Sequence, residues 1–357
     1  MKWVEVRGGE MKNNVIHLSM RSPFTIFAPK LRPMDIASVI QSPITAELED
    51  FRQLFERSLS SSNPLLNRVI EHIRQRSGKM MRPILVLLTA KLHGGAGLEA
   101  FHSAVALELL HNASLVHDDV VDESAERRGQ LSVNAVFNNK VAVLSGDYLL
   151  ATALVQVALT RNHDIIDVVS ALGQDLADGE LLQLSNVSNP DFSEQVYFEV
   201  IRKKTAVLFA ACTKAGALAA GASAEAVEKA RQFGECIGLC FQIKDDIFDY
   251  DENAEIGKPT GNDMHEGKLT LPVLYALNST GDEEACRIAL RVKSGAASAD
   301  EIERLVAFTK QNGGIEYAEQ VMRDLQRKAF ALLPAEGDAE VRRALEAYLD
   351  YVVERQK

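Results

Sequence analysis

Apolar residues recur at helical spacing along almost the whole chain, and this periodicity limits the folds open to it. Between Ile44 and Leu59, apolar side chains fall three or four residues apart, which places them on one helix face. No strand-like alternation of any length interrupts the pattern, and Ala and Leu are abundant. The sequence therefore predicts an all-α fold, a large single-domain helical bundle. Further helical segments are predicted at 64–76, from Pro83, and at 99–122, 141–160, 164–184, 192–220, 224–250, 270–278, 283–294, 299–310, 314–332 and 338–355.

The first 33 residues differ from the rest of the chain in charge. They contain Lys and Arg at six positions against only Glu5 and Glu10, and they lack a continuous apolar segment. Helical patterning begins just after Met34. We therefore expect residues 1–33 to form a disordered extension and residues 34–357 to form the folded domain.

Composition and charge exclude several classes of partner and point to the cytoplasm. The net charge of -11 argues against nucleic-acid and anionic-membrane binding, which usually require a basic surface. The longest uncharged apolar run, Tyr148 to Thr160, is shorter than the about 20 residues that cross a bilayer, so no integral membrane span is predicted. Cys236 and Cys240 lie one helical turn apart in an apolar pattern, which is typical of small buried residues in a reduced, cytoplasmic protein.

An acidic cluster, LVHDDVVDES, ends one of the predicted helices. Asp118 and Asp122 share a helix face and Asp119 lies beside them. Taken alone, this cluster is equally well explained as a solvated surface or as a cation site.

A second cluster, FQIKDDIFDY, repeats the spacing of the first. Asp245, Asp246 and Asp249 also end a long apolar helix. On facing helices of a bundle, the two clusters would line a central cavity with six carboxylates, which cannot all ionise without a counter-charge. Mg²⁺, which prefers oxygen ligands and substrate phosphates, would supply it. The sequence contains neither an EF-hand loop nor paired E-x-x-H motifs, so a calcium loop and a di-iron centre are poor alternatives.

Basic residues lie close to both clusters or at helix ends in this acidic chain. Each alone is more typical of a solvated surface, but together they suggest binding of phosphate groups. They belong to GKMMRP, ERRG, KKTA, GKPTGND and EGKLTLP, and comprise Lys79, Arg82, Arg127, Arg128, Lys203, Lys204, Lys258 and Lys268.

These motifs, in this order, resemble those of the trans-isoprenyl diphosphate synthase (polyprenyl synthetase) family. The resemblance runs from about Asn63 to the C-terminus, and the ordered set is far more specific than one acidic motif. Ser77 stands where a second glycine is common, and Asn262 where a lysine is frequent.

The resemblance implies a role for each matching residue. Mg²⁺, about three ions per site, would be bound around an allylic diphosphate by Asp118, Asp119, Asp122, Asp245, Asp246 and Asp249, with Asp119 and Asp249 the least certain direct ligands. Arg127, Lys204, Lys258 and Lys268 would contact the diphosphate, and Thr205 and Gln242 would lie near its reacting end. Isopentenyl diphosphate would be held without metal by Lys79, Arg82, His111 and Arg128.

The implied reaction is head-to-tail condensation of the two diphosphates to a trans-polyprenyl diphosphate. Ionisation of the allylic C–O bond needs electrostatic stabilisation of the leaving group rather than a side-chain nucleophile. The main catalytic contributions are accordingly expected from Asp118, Asp122, Asp245, Lys204 and Arg127. His117 is expected to pack rather than to act as a base, and the resemblance implies a homodimer.

Three alternatives remain for the function. A class I terpene cyclase also uses an acidic helix motif, but its second metal motif usually has a different pattern. A non-catalytic subunit of a heteromeric prenyl synthase tends to lose motif aspartates, and all six are present here. A head-to-head condensing enzyme would need a reductant site, and no G-x-G-x-x-G motif between a strand and a helix is visible.

Residues before the first aspartate provide a testable expectation about product length. Leu110, Ala113 and Ser114 would line the path of the growing tail, and bulky aromatics four or five residues before Asp118 stop elongation early in the family. Because those positions hold Ala113 and Ser114, we expect a product longer than C15. Ala113→Phe or Ser114→Phe should shorten the main product, as measured by chromatography of the dephosphorylated prenols; an unchanged product ladder would contradict this.

Overall fold

The computed structural model describes residues 33–75, 80–127, 129–186, 191–251 and 260–355. Almost all of the predicted N-terminal extension lies outside these ranges, and so do Lys79, Arg128 and Lys258. Within them the predicted all-α class is confirmed, since the only strands are the two short ones of a hairpin, Glu126–Arg127 (β1) and Gln130–Leu131 (β2). The α-helices are α1 (Pro33–Gln41), α2 (Thr45–Ser58), α3 (Pro64–Arg74), α4 (Met81–Leu92), α5 (Leu98–Val121), α6 (Val133–Phe137), α7 (Asn139–Leu159), α8 (His163–Asn186), α9 (Glu194–Ile201), α10 (Val207–Ala219), α11 (Ala224–Phe248), α12 (Asn262–His265), α13 (Leu271–Thr280), α14 (Glu283–Lys293), α15 (Ala299–Gln311), α16 (Gly314–Leu332) and α17 (Ala339–Glu354).

Local signals explain where several helices begin. The Asn63 side chain accepts hydrogen bonds from the backbone N–H groups of Leu65 and Leu66, so it caps α3 ahead of Pro64 as expected. The prediction that Pro83 begins a helix was wrong by two residues, because α4 starts at Met81. Proline is tolerated throughout a first turn, whose N–H groups have no partner within the helix, so Pro83 did not fix the boundary.

The central layer of the bundle consists of α4, α5, α10 and α11. All side chains from Pro83 to Ala90 are buried, so α4 is enclosed on every side. α5 packs along α7, while α10 packs between α4 and α11. A second apolar cluster joins α12, α13, α14 and α15 beside the end of α11, with Val273, Ala289 and Leu305 fully buried at its centre. This second cluster therefore lies next to the second acidic cluster, at the end of α11.

The predicted single helix over 192–220 is divided in the structure. α9 leads into a π-helix, Arg202–Ala206, which is followed by α10. Neighbouring helices approach this wide turn closely: a Cβ added to Gly238 of α11 would lie 2.4 Å from the Ala206 Cα, and one added to Gly179 of α8 would lie 2.8 Å from the Lys203 Cβ. Glycine at these two positions therefore permits close packing of α8 and α11 around the π-helix.

Cys236 and Cys240 are buried free thiols, as expected; Cys212 is also buried, and Cys286 is partly exposed. His117 packs against α7, with Nε2 3.3 Å from the Val143 carbonyl oxygen, which agrees with its predicted packing role.

Among the described helices, α7 alone is long and apolar enough to cross a membrane by length and composition. It packs along α5 on one side, while Leu144, Leu154 and Val155 are at least half exposed on the other.

Candidate active site

The ends of α5 and α11 meet at one cavity of about 510 Å³. Asp122 from the first cluster and Asp246 from the second both line it, so the structure brings the two clusters together as predicted. The predicted Lys204, Thr205, Gln242 and Lys268 also lie in its wall. Six carboxylates line the cavity, but apart from Asp122 and Asp246 they are Glu180, Asp191, Asp263 and Glu266 rather than the remaining motif aspartates.

In the first cluster, Asp119 is bound to another part of the protein. Its side chain is 1% exposed, and the Arg127 Nε donates to its Oδ1 at 2.5 Å. Arg127 follows α5 directly in the β1 strand, so the hairpin carries it back to the helix end. Asp119 thus forms an ion pair with Arg127, a residue that the family resemblance assigns to the diphosphate.

In the second cluster, Asp246 and Asp249 also have protein partners. Asp246 is 2% exposed and accepts hydrogen bonds from the Tyr197 hydroxyl at 2.5 Å and the Gln242 amide at 2.9 Å. Asp249 accepts from the backbone N–H groups of Asn262 at 2.8 Å and Asp263 at 3.0 Å, which fixes the start of α12 beside α11.

Asp118, Asp122, Asp245 and Asp249 are at least partly exposed, whereas Asp119 and Asp246 are buried. The Arg355 guanidinium donates to the Asp245 Oδ1 at 2.5 Å and to the Phe241 carbonyl oxygen at 2.9 Å. The last described residue therefore contacts the second acidic cluster.

Burial and like charges raise the pKa of several carboxyl groups in or beside this cavity. Burial raises the pKa of Asp118 to about 6, and the nearby Glu180 and Asp122 charges add to the rise. Burial likewise raises the pKa of Asp263 to about 6, with the Asp249 charge as the next cause. For Asp246, burial and then the Asp263 charge raise the pKa to about 8. Burial thus disfavours the charged form of these carboxylates, and a bound cation would favour it.

The donor set fits a hard divalent cation that is shared with phosphate oxygens. All the acidic side chains offer oxygen ligands, which Mg²⁺ prefers. In the part of the chain that the structure describes, no three His, Cys, Asp or Glu side chains converge to hold an ion by themselves. This agrees with Mg²⁺ sites that use one or two carboxylates together with waters and substrate phosphates.

Two lysines of the cavity are held by acids that the sequence analysis missed. The Lys204 Nζ lies 2.6 Å from the Glu180 Oε2 and 3.3 Å from the Gln183 Oε1, both on α8. The Lys268 Nζ lies 2.5 Å from the Glu266 Oε2. Both ammonium groups are thereby kept at the cavity wall.

Arg82 and His111 lie apart from this cavity. Arg82 on α4 sits over the Phe209 ring, with its guanidinium carbon 5.6 Å from the centroid, and His111 is a buried residue of α5. The Phe209 ring contacts that of Phe241 at 5.4 Å between centroids, and Arg355 stacks on the other ring of this pair at 4.0 Å. Arg82 is thus separated from Arg355 by one aromatic pair.

Other residues of the cavity wall were not predicted from the sequence. Asp263 and Glu266 belong to the GKPTGND and EGKLTLP motifs, in which only the lysines were predicted to bind substrate. Tyr197 carried no signal, since an aromatic residue in a helical apolar pattern is typical of a core. Lys293 lies on α14, far in sequence from any motif; it is 6% exposed and its Nζ is 3.4 Å from the Asp191 carbonyl oxygen.

The residues predicted to set the length of the product lie on α5, where they are buried or partly buried. Ala113 and Leu110 are 2% and 4% exposed, and the Ser114 hydroxyl donates to the His111 carbonyl oxygen. None of these three residues belongs to the described wall of the 510 Å³ cavity. Their role stays a prediction.

The fold and the site together define an all-α enzyme with two acidic clusters at one cavity, and similarity to known proteins agrees. Residues 63–309 match the polyprenyl synthetase family. An octaprenyl diphosphate synthase from Haemophilus influenzae is 34% identical over 319 residues, covering 88% of this chain and 96% of the relative. The chain belongs to the polyprenyl synthetase family and is a prenyltransferase.

Solved structures share this architecture. A geranylgeranyl pyrophosphate synthase from Bacteroides thetaiotaomicron is 59% identical with a TM-score of 0.79, over 90% of this chain and 100% of that one. A polyprenyl synthase from Caulobacter crescentus CB15, complexed with calcium and isoprenyl diphosphate, is 32% identical with a TM-score of 0.81, over 90% and 98% of the two chains.

The raised pKa of Asp263 gives a pH-dependent stability prediction. The unfolded carboxyl loses its proton near 3.8 but the folded one near 6, so the native state binds more protons in this window and its stability falls as pH rises through it. In EDTA, Asp263→Asn should raise the free energy of unfolding by about 2 kcal/mol at pH 7.5, with a smaller gain at pH 4.5. Urea denaturation at both pH values measures this, with the exposed Asp167→Asn as control; a variant less stable than wild type at pH 7.5 would contradict it.

Proposed function

We propose that the protein condenses an allylic diphosphate with isopentenyl diphosphate in the presence of Mg²⁺ to form a trans-polyprenyl diphosphate longer than C15. The observation that carries this proposal is the meeting of both acidic clusters with Lys204 and Lys268 at one cavity. Carboxylates and ammonium groups side by side suit a ligand that presents both metal ions and phosphate oxygens.

The allylic diphosphate would bind in the 510 Å³ cavity. Asp118, Asp122 and Asp245 are the preferred metal ligands, because each is at least partly exposed. Asp119 and Asp246 are buried, and Asp249 accepts two backbone hydrogen bonds. Mg²⁺, for which the family resemblance implies about three ions, would supply Lewis-acid stabilisation of the departing diphosphate. Lys204 and Lys268, with Arg127 and Lys258, would neutralise its remaining charge.

Isopentenyl diphosphate would bind on the other side of the Phe209 and Phe241 rings, at Arg82 and His111. Lys79 and Arg128, assigned to the same substrate, lie outside the described residues. An arginine can bind a diphosphate in a bidentate fork without metal. The two substrates would thus be held by different chemistry, which keeps them in distinct positions.

The reaction needs no nucleophilic side chain. The allylic C–O bond breaks, the double bond of isopentenyl diphosphate forms the new C–C bond at the resulting cation, and a proton then leaves. The released diphosphate is the proposed acceptor of that proton. Thr205 and Gln242, joined by a 2.8 Å hydrogen bond in the cavity wall, would face the reacting end of the allylic substrate.

We also propose that two copies of the chain pair through α7. Its exposed side carries Leu144, Leu154, Val155 and Leu159, each at least half exposed, and exposed apolar residues gathered on one helix are typical of an interface between proteins. The four free thiols are compatible with the cytoplasm, where we place the protein.

The condensation proposal predicts a specific product pattern and two inactive variants. With Mg²⁺, isopentenyl diphosphate and each allylic primer in turn, chromatography of dephosphorylated products should show linear prenols longer than C15. Asp118→Ala and Asp245→Ala should each lower kcat by 10³-fold or more, on the order of 4 kcal/mol in the barrier, while the exposed Asp50→Ala on α2 should not. Cyclic hydrocarbons, no incorporation of isopentenyl diphosphate, or full activity of either variant would contradict the proposal.

The dimer proposal predicts that a charge on the α7 surface separates the copies. Leu154→Glu should shift the chain from dimer to monomer in analytical ultracentrifugation, because burying an unpaired carboxylate is strongly unfavourable. Leu290→Glu, on the exposed side of α14, is the matched control and should remain dimeric. A wild-type monomer, or an unchanged dimer with Leu154→Glu, would contradict pairing through α7.

A further inference from the structure

We propose that Tyr197 is a positioning residue of the prenyl-transfer site, which acts through the buried carboxylate of Asp246 to hold the Gln242 amide beside Thr205. The inference deepens the proposed function and rests on it, because Thr205 and Gln242 are assigned there to the reacting end of the allylic substrate.

Four side chains from three elements form one continuous chain of hydrogen bonds. The Tyr197 hydroxyl on α9 donates to the Asp246 Oδ2 at 2.5 Å, and the Gln242 Nε2 donates to the Asp246 Oδ1 at 2.9 Å. The Thr205 hydroxyl of the π-helix donates to the Gln242 Oε1 at 2.8 Å. All four residues line the 510 Å³ cavity, so the chain of hydrogen bonds lies in its wall.

The order of donors and acceptors fixes the Gln242 amide in one orientation. An amide presents donors on its nitrogen and an acceptor on its oxygen, and both oxygens of Asp246 act as acceptors in this structure, one from Tyr197 and one from Gln242. Asp246 therefore draws the Gln242 nitrogen toward itself, which leaves the amide oxygen to face Thr205. Tyr197 in turn prevents rotation of the carboxylate, because its hydroxyl occupies the second oxygen.

Burial makes each of these hydrogen bonds consequential. Tyr197 is 6% exposed and Asp246 is 2% exposed, so water cannot readily replace a lost partner. The neighbouring Asp263 repels the Asp246 carboxylate. Without the Tyr197 hydroxyl, this carboxylate would lose one donor while the repulsion remained, and it would no longer hold Gln242 in a single position.

A tyrosine elsewhere on the chain offers a matched control. The Tyr317 hydroxyl donates to the Glu194 Oε2 at 2.9 Å, and Glu194 is the first residue of α9, the helix that carries Tyr197. Tyr317→Phe therefore removes a tyrosine–carboxylate hydrogen bond from the same helix without touching Asp246. The Tyr317→Phe variant therefore measures how the loss of a hydrogen bond to α9, away from Asp246, affects the protein.

The test compares full-length wild type, Tyr197→Phe and Tyr317→Phe. Tyr197→Phe should lower kcat for condensation by about tenfold or more, with the KM for isopentenyl diphosphate unchanged within about twofold. It should also weaken binding of inorganic pyrophosphate with Mg²⁺, measured by calorimetry, by about tenfold. Tyr317→Phe should match wild type in kcat and in pyrophosphate binding.

Thr205→Val and the double variant test whether the hydrogen-bonded chain acts as a unit. If it does, the combined kcat loss should approach the larger single loss rather than the product of the two. Should Tyr197→Phe not unfold cooperatively, Thr205→Val decides the question: the proposal requires a reduced kcat with an unchanged KM for isopentenyl diphosphate.

The outcomes separate this inference from the proposed function. A wild-type protein that binds Mg²⁺ and pyrophosphate but does not incorporate isopentenyl diphosphate overturns the proposed function, and the pyrophosphate affinities then decide the role of Tyr197. Wild-type kcat and affinity in Tyr197→Phe, losses equal to those of Tyr317→Phe, or multiplicative losses in the double variant overturn the inference while leaving the proposed function in place.

Discussion

The burial of neighbouring carboxylates at one cavity is the constraint on which the site depends. Four cations beside the cavity or at its acidic clusters are each held by an acid: Arg127 by Asp119, Lys204 by Glu180, Lys268 by Glu266 and Arg355 by Asp245. These pairs do not neutralise the site, since burial and like charges still raise the pKa of Asp118, Asp246 and Asp263. Negative charge that these pairs leave uncompensated would favour the binding of a divalent cation there.

The helix packing brings these charges together from distant parts of the chain. α8 and α11 approach the π-helix at glycines, where a larger side chain would meet backbone or Cβ atoms. Through this approach Lys204 of the π-helix reaches Glu180 of α8, and Thr205 reaches Gln242 of α11. Residues from 180 to 242 thereby contribute to one wall of the cavity.

The fold class and the acidic clusters were predictable because their signals are local. A helical repeat of apolar residues can be recognised within a few turns, and the two aspartate triplets can be recognised by their equal spacing. The division of 192–220 was not predictable, because a π-helix depends on what packs against it, here Gly238 and Gly179.

The partners of the aspartates were also beyond reach from sequence. Nothing near Asp246 in the chain indicates that Tyr197 donates to it, and nothing near Lys204 points to Glu180. Such contacts join residues 24 to 49 positions apart, and only tertiary packing determines them.

The π-helix also changes which way the side chains of α9 face relative to those of α10. In an uninterrupted α-helix, sequence separation alone would set the angle between Tyr197 and the core-facing residues of α10, since each residue turns the chain by about 100°. The wide turn accommodates one extra residue, which changes that angle by roughly the 100° that one residue contributes. Helix α10 can therefore keep its apolar face against α4 and α11 while α9 is rotated about its own axis so that Tyr197 faces the cavity.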